Sequence, residues 1–154
     1  MSLLSMDIHE LPVRLHLVDK EPIGATLFLH SHGPRGQEGM LERLNGPESF
    51  LPFRWDDRIH LVARRAILFL ESKDPSCENP DLPDQLADPL RLGLRLRDGS
   101  SLSGEVHVLL PTHRNRLSDF LNLKESFFAL SGKDGVVVVN KNWIESVEPL
   151  KDEL

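Results

Sequence analysis

The chain has very little cysteine, no long apolar run and no surplus of basic residues. Its one cysteine, Cys77, excludes an internal disulfide framework and a cysteine-rich zinc site, and it fits a reducing compartment. No stretch approaches the roughly 18 apolar residues of a membrane-spanning helix. Met1 to Ser5 carry neither the basic residue nor the apolar core of a secretory signal. We therefore expect a cytoplasmic protein without a membrane segment.

Basic residues outnumber acidic ones in none of three successive regions of the chain, and the acidic excess is concentrated in the middle one. The formal net charge is -6. Residues 73–90 hold 1 basic residue against 5 acidic ones, whereas residues 1–72 hold 8 against 10 and residues 91–154 hold 9 against 9. Generic nucleic-acid binding draws most of its affinity from the neutralisation of phosphates by Lys and Arg. Nonspecific nucleic-acid binding is therefore disfavoured.

What the chain does contain is an internal repeat with a constant spacing, the one that separates Asn45 from Asn122. We call this spacing the repeat offset. A register that stays constant over many positions predicts two copies of one unit. We place the units at residues 13–72 and 91–150, joined by an acidic, proline-rich linker at 73–90, with an N-terminal extension at 1–12 and a tail at 151–154. The matched pairs include Leu44/Leu121, Asn45/Asn122, Phe50/Phe127, Asp57/Asp134, Leu61/Val138, Val62/Val139, Arg64/Lys141, Ile67/Ile144 and Leu70/Val147.

Apolar residues alternate with polar ones inside each copy, which predicts strands with one buried face. The first strand of the second copy, for example, places Leu92, Leu94 and Leu96 on one face. The second strand contains a glycine, Gly24 or Gly104, that permits a close approach or a sharp bend. One helical turn precedes the third strand. The predicted fold class is all-β, with two tandem five-stranded, strongly bent small barrels docked together.

This pattern resembles the Sm-like small β-barrel over both repeats, about three quarters of the chain. The segment 104–106 together with Asp119 and Asn122 is similar to the first motif of that family, and the segment 136–147 is similar to the second. The whole chain also resembles uncharacterised bacterial proteins with two such barrels and the string Arg-Leu-Ser-Asp-Phe-Leu-Asn, here residues 116–122. That second resemblance implies the fold and no activity.

The Sm-like resemblance also implies candidate RNA-binding residues. In Sm-like RNA binders an asparagine near the aspartate of the first motif and a basic residue in the last turn hold the base. By position these residues are Asn122 and Lys141 in the second copy, and Asn45 and Arg64 in the first. Taken as residue types alone, Asp119 and Asn122 are better explained as capping and turn residues that bond local backbone groups, and Glu42 and Asn45 have the same role in the first copy. The backbone role is therefore the favoured interpretation, and RNA binding is the alternative.

Motifs for metal binding and catalysis are weak. The segment His30-Ser31-His32 has a spacing that metal sites use, but it lacks a nearby third ligand, so a solvated loop is favoured. Ser118, Asp119 and His113 supply nucleophile, acid and base types without any motif that positions them. We therefore expect no metal, no cofactor and no enzymatic activity.

Elimination leaves a non-catalytic protein-interaction or assembly module as the first functional hypothesis. RNA or nucleotide binding is the second, and a small-molecule enzyme is the third. The Sm-like resemblance implies that the fourth strand of one unit pairs with the fifth strand of its neighbour. Two tandem units form one such junction internally and leave one strand of each kind unpaired. Because 136–139 has no charge to guard an edge, we expect self-association, most simply a homodimer, through an edge of this type.

Overall fold

A computed structural model describes residues 8–30, 38–73, 89–107, 117–132 and 134–150. These residues form short helices and antiparallel strands, and none of their helices has the length and apolar character of a membrane span. In chain order the elements are β1 (Ile8–Leu17), β2 (Ile23–His30), α1 (Met40–Leu44), β3 (Phe50–Trp55), β4 (Arg58–Ala63), a 3-10 turn (Arg64–Ala66), β5 (Ile67–Ser72), β6 (Pro89–Leu96), β7 (Ser101–His107), α2 (Leu117–Leu121), β8 (Phe127–Gly132), β9 (Gly135–Asn140), a second 3-10 turn (Lys141–Trp143) and β10 (Ile144–Leu150).

All ten strands belong to one antiparallel sheet, in the order β10-β6-β7-β8-β9-β5-β1-β2-β3-β4. Each half of the sheet has the same internal order: its fifth strand, then its first, second, third and fourth. The strands β4 and β10 lie at the two ends and do not pair with each other, so the sheet is not closed. The all-β prediction is confirmed. The finer division into two separate barrels stays a prediction, because the strands form a single open sheet.

The two halves join where β5 pairs with β9. Leu70 lies opposite Val138 and Phe69 opposite Val139 in this antiparallel pair. Side chains add to the main-chain ladder: Asn140, which is 1% exposed, donates to the Ile67 carbonyl over 3.0 Å. The strand β5 is apolar at successive positions because both of its faces are covered.

Each hydrophobic core contains side chains from both halves. Phe127, Val136 and Val138 of the second half are buried in the first core, and Leu68 and Phe69 of the first half are buried in the second. Burial of apolar side chains is the main source of folding free energy. The halves therefore depend on each other for part of their cores.

A β-bulge bends each half at an equivalent place. Between β1 and β5 the pairing shifts so that Leu68 is the extra residue, and between β6 and β10 the extra residue is Glu145. These two positions are separated by the repeat offset. Bulges strengthen the local twist and redirect side chains. Leu68 consequently enters the second core, whereas Glu145 is exposed at the end of the sheet.

Pro12 and Pro52 lie inside strands, each at a position where one of the neighbouring strands does not pair with it. The strand β1 begins at Ile8, before the predicted unit boundary at residue 13, because Pro12 sits beyond the stretch in which β1 pairs with β5. Pro12 therefore needs no donor on that side. A proline such as Pro52 predicts an edge position or a bulge for its strand, and β3 lies inside the sheet. Its pairing with β2 covers only Phe53 and Arg54, so Pro52 interrupts no ladder there.

The close approach predicted for the second-strand glycine occurs in one half only. A Cβ on Gly104 would lie 2.9 Å from the Ser131 carbonyl oxygen and 3.0 Å from Leu130 Cβ, whereas a Cβ on Gly24 would meet nothing within 4 Å. Gly104→Ala is expected to lower the free energy of unfolding by about 1–3 kcal/mol through overpacking. Gly24→Ala is the matched control, with a change within about 0.5 kcal/mol. Urea titration of both variants measures this, and equal losses would contradict it.

Candidate functional site

Arg64 and Lys141, the basic residues of the predicted RNA site, hold the loops that follow the two short helices. The Arg64 guanidinium donates to the Gly46 carbonyl. The Lys141 ammonium donates to the Leu123 carbonyl over 2.9 Å. Because Gly46 and Leu123 are matched by the repeat offset, both cations make the same contact in their own half. Burial lowers the pKa of Lys141, and the Glu125 carboxylate opposes that shift.

The main chain of these loops also repeats. The backbone N–H of Arg64 donates to the Ser49 carbonyl over 2.8 Å, and that of Lys141 donates to the Ser126 carbonyl over 2.8 Å. The two donors are matched by the repeat offset, and so are the two acceptors. Matched positions therefore have corresponding surroundings in these loops, which permits residue-by-residue comparison of the halves.

Asn45 connects the two halves. Its side-chain N–H donates to the Phe127 carbonyl over 3.1 Å, and its side-chain oxygen accepts from the Phe127 N–H over 2.9 Å. This pair of bonds satisfies the main chain at the first residue of β8. Asn45 thus bonds backbone groups, as its residue type suggested, but those groups belong to the other half and not to a local turn.

Asn122 has the same position in the second half and a different partner. Its side chain is exposed and donates to the Ser118 carbonyl within its own helical turn over 2.7 Å. The structure therefore brings Asn45 and Arg64 to one loop, and Asn122 and Lys141 to another. Each of the four side chains bonds a main-chain group, and RNA binding through them stays a prediction.

Replacing the two asparagines separates their roles. Asn45→Ala leaves a partly buried N–H and carbonyl of Phe127 without the asparagine, so we expect a loss of about 1–3 kcal/mol in the free energy of unfolding. Asn122→Ala frees only a carbonyl near solvent and is expected to change stability by less than about 0.5 kcal/mol. Denaturant unfolding of both variants checks this. Equal effects would show that the inter-half bonds of Asn45 add no more stability than the local bond of Asn122.

Large apolar side chains are exposed together on β3 and β4, and we name Phe50, Ile59 and Leu61 the β4 apolar edge. They are 56%, 57% and 70% exposed. In the β3–β4 pairing, Ile59 lies opposite Arg54, Leu61 opposite Pro52 and Phe50 opposite Ala63, which places the three apolar side chains on one face. The strand β4 pairs along one side only, because it ends the sheet.

The matched residues of the second half show what this face does when it is covered. The repeat offset relates Phe50, Ile59 and Leu61 to Phe127, Val136 and Val138, which are 2%, 8% and 1% exposed. These three counterparts are buried because β5 and the first core cover them. The chain therefore covers this surface in its second half and leaves the equivalent surface of its first half, the β4 apolar edge, exposed. The alternation of apolar and polar residues in 59–61 is visible in the sequence, but the choice of 136–139 as the unguarded edge passed over β4.

A tight turn and several charges surround the β4 apolar edge. Asp56 and Asp57 have positive φ angles of 54° and 59°, as a two-residue hairpin of the primed type requires, and they fix β4 against β3. Beyond this turn, residues 58–66 contain three arginines and no acidic residue. On the neighbouring strands, Arg54 binds Glu10 at 2.6 Å, and this bond lowers the pKa of Glu10.

The prediction of an unpaired edge at 136–139 is wrong. The strand β9 pairs with β8 on one side and with β5 on the other, so its main chain has no free side. The unpaired strands at the ends of the sheet are β4 and β10. The run of valines that suggested an unguarded edge is apolar on both faces because each face adjoins a different core.

The residues suggested for metal binding do not meet in the described parts of the chain. Among the described residues no group of three or more His, Cys, Asp and Glu side chains is arranged to hold a metal ion. His30 is exposed at the end of β2, and His32, His113 and Cys77 lie outside the described residues.

A groove of about 990 Å³ runs along the junction between the halves, and its lining includes Glu71 and Asp134.

Comparison of the chain with protein families, with curated proteins and with solved structures finds no match.

Proposed function

We propose that this chain is a cytoplasmic, non-catalytic protein-interaction module built from two Sm-like β units, and that it binds a partner through the β4 apolar edge. One observation carries the proposal: Phe50, Ile59 and Leu61 are exposed where their counterparts are core residues. An unpaired strand offers main-chain N–H and C=O groups to an incoming strand, and adjacent apolar side chains add affinity. Exposed apolar clusters of this kind mark interaction surfaces.

The strand arrangement supports the Sm-like part of the proposal. Both halves have the same strand order, and the junction between them joins the fifth strand of one half to the fourth strand of the other. This is the pairing that the resemblance implies between neighbouring units. A unit of about 60 residues buries only about 60% of the surface that its unfolded chain exposes, which favours such docking.

RNA or nucleotide binding is the competing function, and the contacts favour it less. Arg64 and Lys141 are engaged with the carbonyls of their own loops, and Asn45 is engaged with Phe127. An incoming base would have to displace these bonds. The Gly46 and Phe127 carbonyls are partly buried, so leaving them without partners costs about 1–3 kcal/mol each, whereas the exposed Leu123 carbonyl can bond water instead.

Affinity purification from the native host tests the proposal. The tagged wild-type chain is compared with Leu61→Glu, which places a charge on the β4 apolar edge, and with Ile8→Glu, which places the same charge on an exposed apolar residue (37% exposed) of β1. We expect the wild type and Ile8→Glu to retain the same protein. Leu61→Glu is expected to retain about tenfold less of it, because an unpaired charge buried in an interface costs more than about 1.4 kcal/mol.

Two results would contradict the proposal. Equal retention of protein by all three chains would show that the β4 apolar edge is not the binding surface. Copurified nucleic acid, seen in the ratio of absorbance at the nucleic-acid and protein maxima and lost in Asn122→Ala, would favour the RNA function.

A further inference from the structure

The two unpaired strands carry opposite charge. The strand β4 contains Arg58 and no acidic residue, the turn after it contains Arg64 and Arg65, and the hairpin turn before it contains Asp56 and Asp57. At the other end of the sheet, β10 contains Glu145 and Glu148, both exposed. Opposite charges on two unpaired strands of one chain make these strands electrostatically complementary to each other in separate copies.

The internal junction supplies a register for such a contact. In the β5–β9 pair, Leu70 lies opposite Val138 and Ser72 opposite Val136. Adding the repeat offset to the positions on β5 gives positions on β10. Subtracting the offset from the positions on β9 gives positions on β4. Val147 then lies opposite Leu61, and Pro149 lies opposite Ile59. Each pair joins apolar side chains, so this register covers the β4 apolar edge.

We infer that β10 of one copy pairs antiparallel with β4 of a second copy, in the register of the β5–β9 junction, and so continues the sheet from chain to chain. The inference rests on the proposed function and names the partner as a second copy. Because the two surfaces differ, the contact is heterologous. Its smallest product is a dimer with one free β4 and one free β10, and further copies add at those ends.

In the inferred contact, the face of the sheet opposite the β4 apolar edge carries polar side chains. The same face of the β5–β9 junction carries apolar side chains. The bulge residue Leu68 and its neighbour Phe69 are buried in the second core, whereas the counterparts on β10, residues 145–146, are Glu and Ser. In the inferred register Glu148 lies opposite His60 of the second copy and diagonal to its Arg58, which is within reach of a long side chain. Charge attraction replaces part of the apolar contact there. The assembly is consequently weaker than the internal junction and sensitive to salt.

Asn122 is placed to complete the contact. In the internal junction Asn45 bonds both main-chain groups of Phe127. The counterparts are Asn122, whose exposed side chain holds a carbonyl of its own turn, and Phe50 of the second copy, which is exposed. The inferred register brings this asparagine to the Phe50 main chain.

Symmetric pairing of like strands is disfavoured by the same charges. Two antiparallel β4 strands centred near Leu61 would bring Arg58 of each copy toward Arg64 of the other. Two β10 strands would bring their glutamates together. Like charges placed across a strand pair destabilise it, so the charges favour the pairing of unlike strands.

Cysteine cross-linking in a Cys77→Ser background tests the register. Leu61→Cys and Val147→Cys are made in separate chains, and directly opposed Cα atoms about 4.5–5.5 Å apart permit a disulfide. Under mild oxidation we expect the mixture of the two chains to form a cross-linked dimer, and neither chain alone to do so. Self-linking of the Leu61→Cys chain would reveal β4–β4 pairing and overturn the inference. Absence of any cross-link would also overturn it.

Sedimentation of otherwise unmodified chains gives an independent measurement. Glu148→Lys is expected to weaken self-association by about tenfold, and Asn122→Ala is expected to weaken it without changing stability. Glu21→Lys, a charge reversal in the exposed β1–β2 turn, is the control and is expected to leave association unchanged. A concentration-independent monomer would overturn the inference. If Leu61→Glu nevertheless loses a host protein, the proposed function stands and its partner is a different chain.

Discussion

Phe127→Ala is expected to lower the free energy of unfolding by about 3–5 kcal/mol, the usual cost of removing a buried phenylalanine ring. The ring is 2% exposed and lies in the first core, although Phe127 belongs to the second half. Removing it leaves a cavity at the start of β8 that neighbouring strands, fixed by the sheet, fill only in part. The loss is measured by urea unfolding with a common slope for both proteins.

Phe50→Ala is the matched control for this prediction. Phe50 stands at the corresponding position of the first half, one repeat offset earlier, and is 56% exposed. In the dilute monomer its replacement is expected to change stability by less than about 0.5 kcal/mol. A loss for Phe50→Ala as large as that for Phe127→Ala under those conditions would mean that the chain itself covers the β4 apolar edge. A small loss for both would mean that the two cores are not shared.

Much of the strand arrangement could be predicted from the sequence because each strand has a local signal and the unit occurs twice. Alternation of apolar and polar side chains located the strands, and a constant offset matched them in pairs. The last turns, in which the resemblance placed Arg64 and Lys141, are the 3-10 turns Arg64–Ala66 and Lys141–Trp143. The alternation and the turns depend on residues close together in the chain, so they are visible in short windows.

The position of each strand in the sheet was not predicted from local alternation, although successive apolar residues in a strand were a signal for an internal position. Four successive valines in 136–139 suggested an edge without guards, but they form a strand covered on both faces. An edge that faces water would be expected to carry a charge among its outward residues. Apolar residues at successive positions, in 136–139 and again in β5, therefore indicated internal strands. Leu68 and Glu145 occupy equivalent positions in the two fifth strands. The apolar residue at 68 and the charged residue at 145 likewise indicated that β5 is an internal strand and β10 an edge.

The partners of the candidate site residues were beyond local analysis. Asn45 bonds Phe127, and Trp143 donates its indole N–H to the Arg65 carbonyl over 2.7 Å, so each bond joins one half to the other. Such bonds depend on how the halves dock, and docking is decided mainly by burial and not by residue type. The resemblance selected two equivalent loops, and the structure supplied main-chain partners for their side chains.

Separating the halves is expected to have the largest effect of all. Chains 1–73 and 89–154 each lose side chains that the other half contributes: the first loses Phe127, Val136 and Val138, and the second loses Leu68 and Phe69. Each half also exposes β5 or β9, whose faces are apolar. Domains of this size have little stability in reserve, so we expect each half to unfold at a much lower urea midpoint than the whole chain, or without a cooperative transition.

Mixing the two halves is expected to restore a transition close to that of the whole chain, at concentrations where the β5–β9 junction forms. A chain cut within the linker after folding controls for the loss of covalent connection, since it keeps every junction contact. Equal urea midpoints for the halves and the whole chain would show that each half completes its own core. In that case Phe127 and Phe69 would be covered by their own half, and the β4 apolar edge would no longer be the uncovered copy of an internal junction.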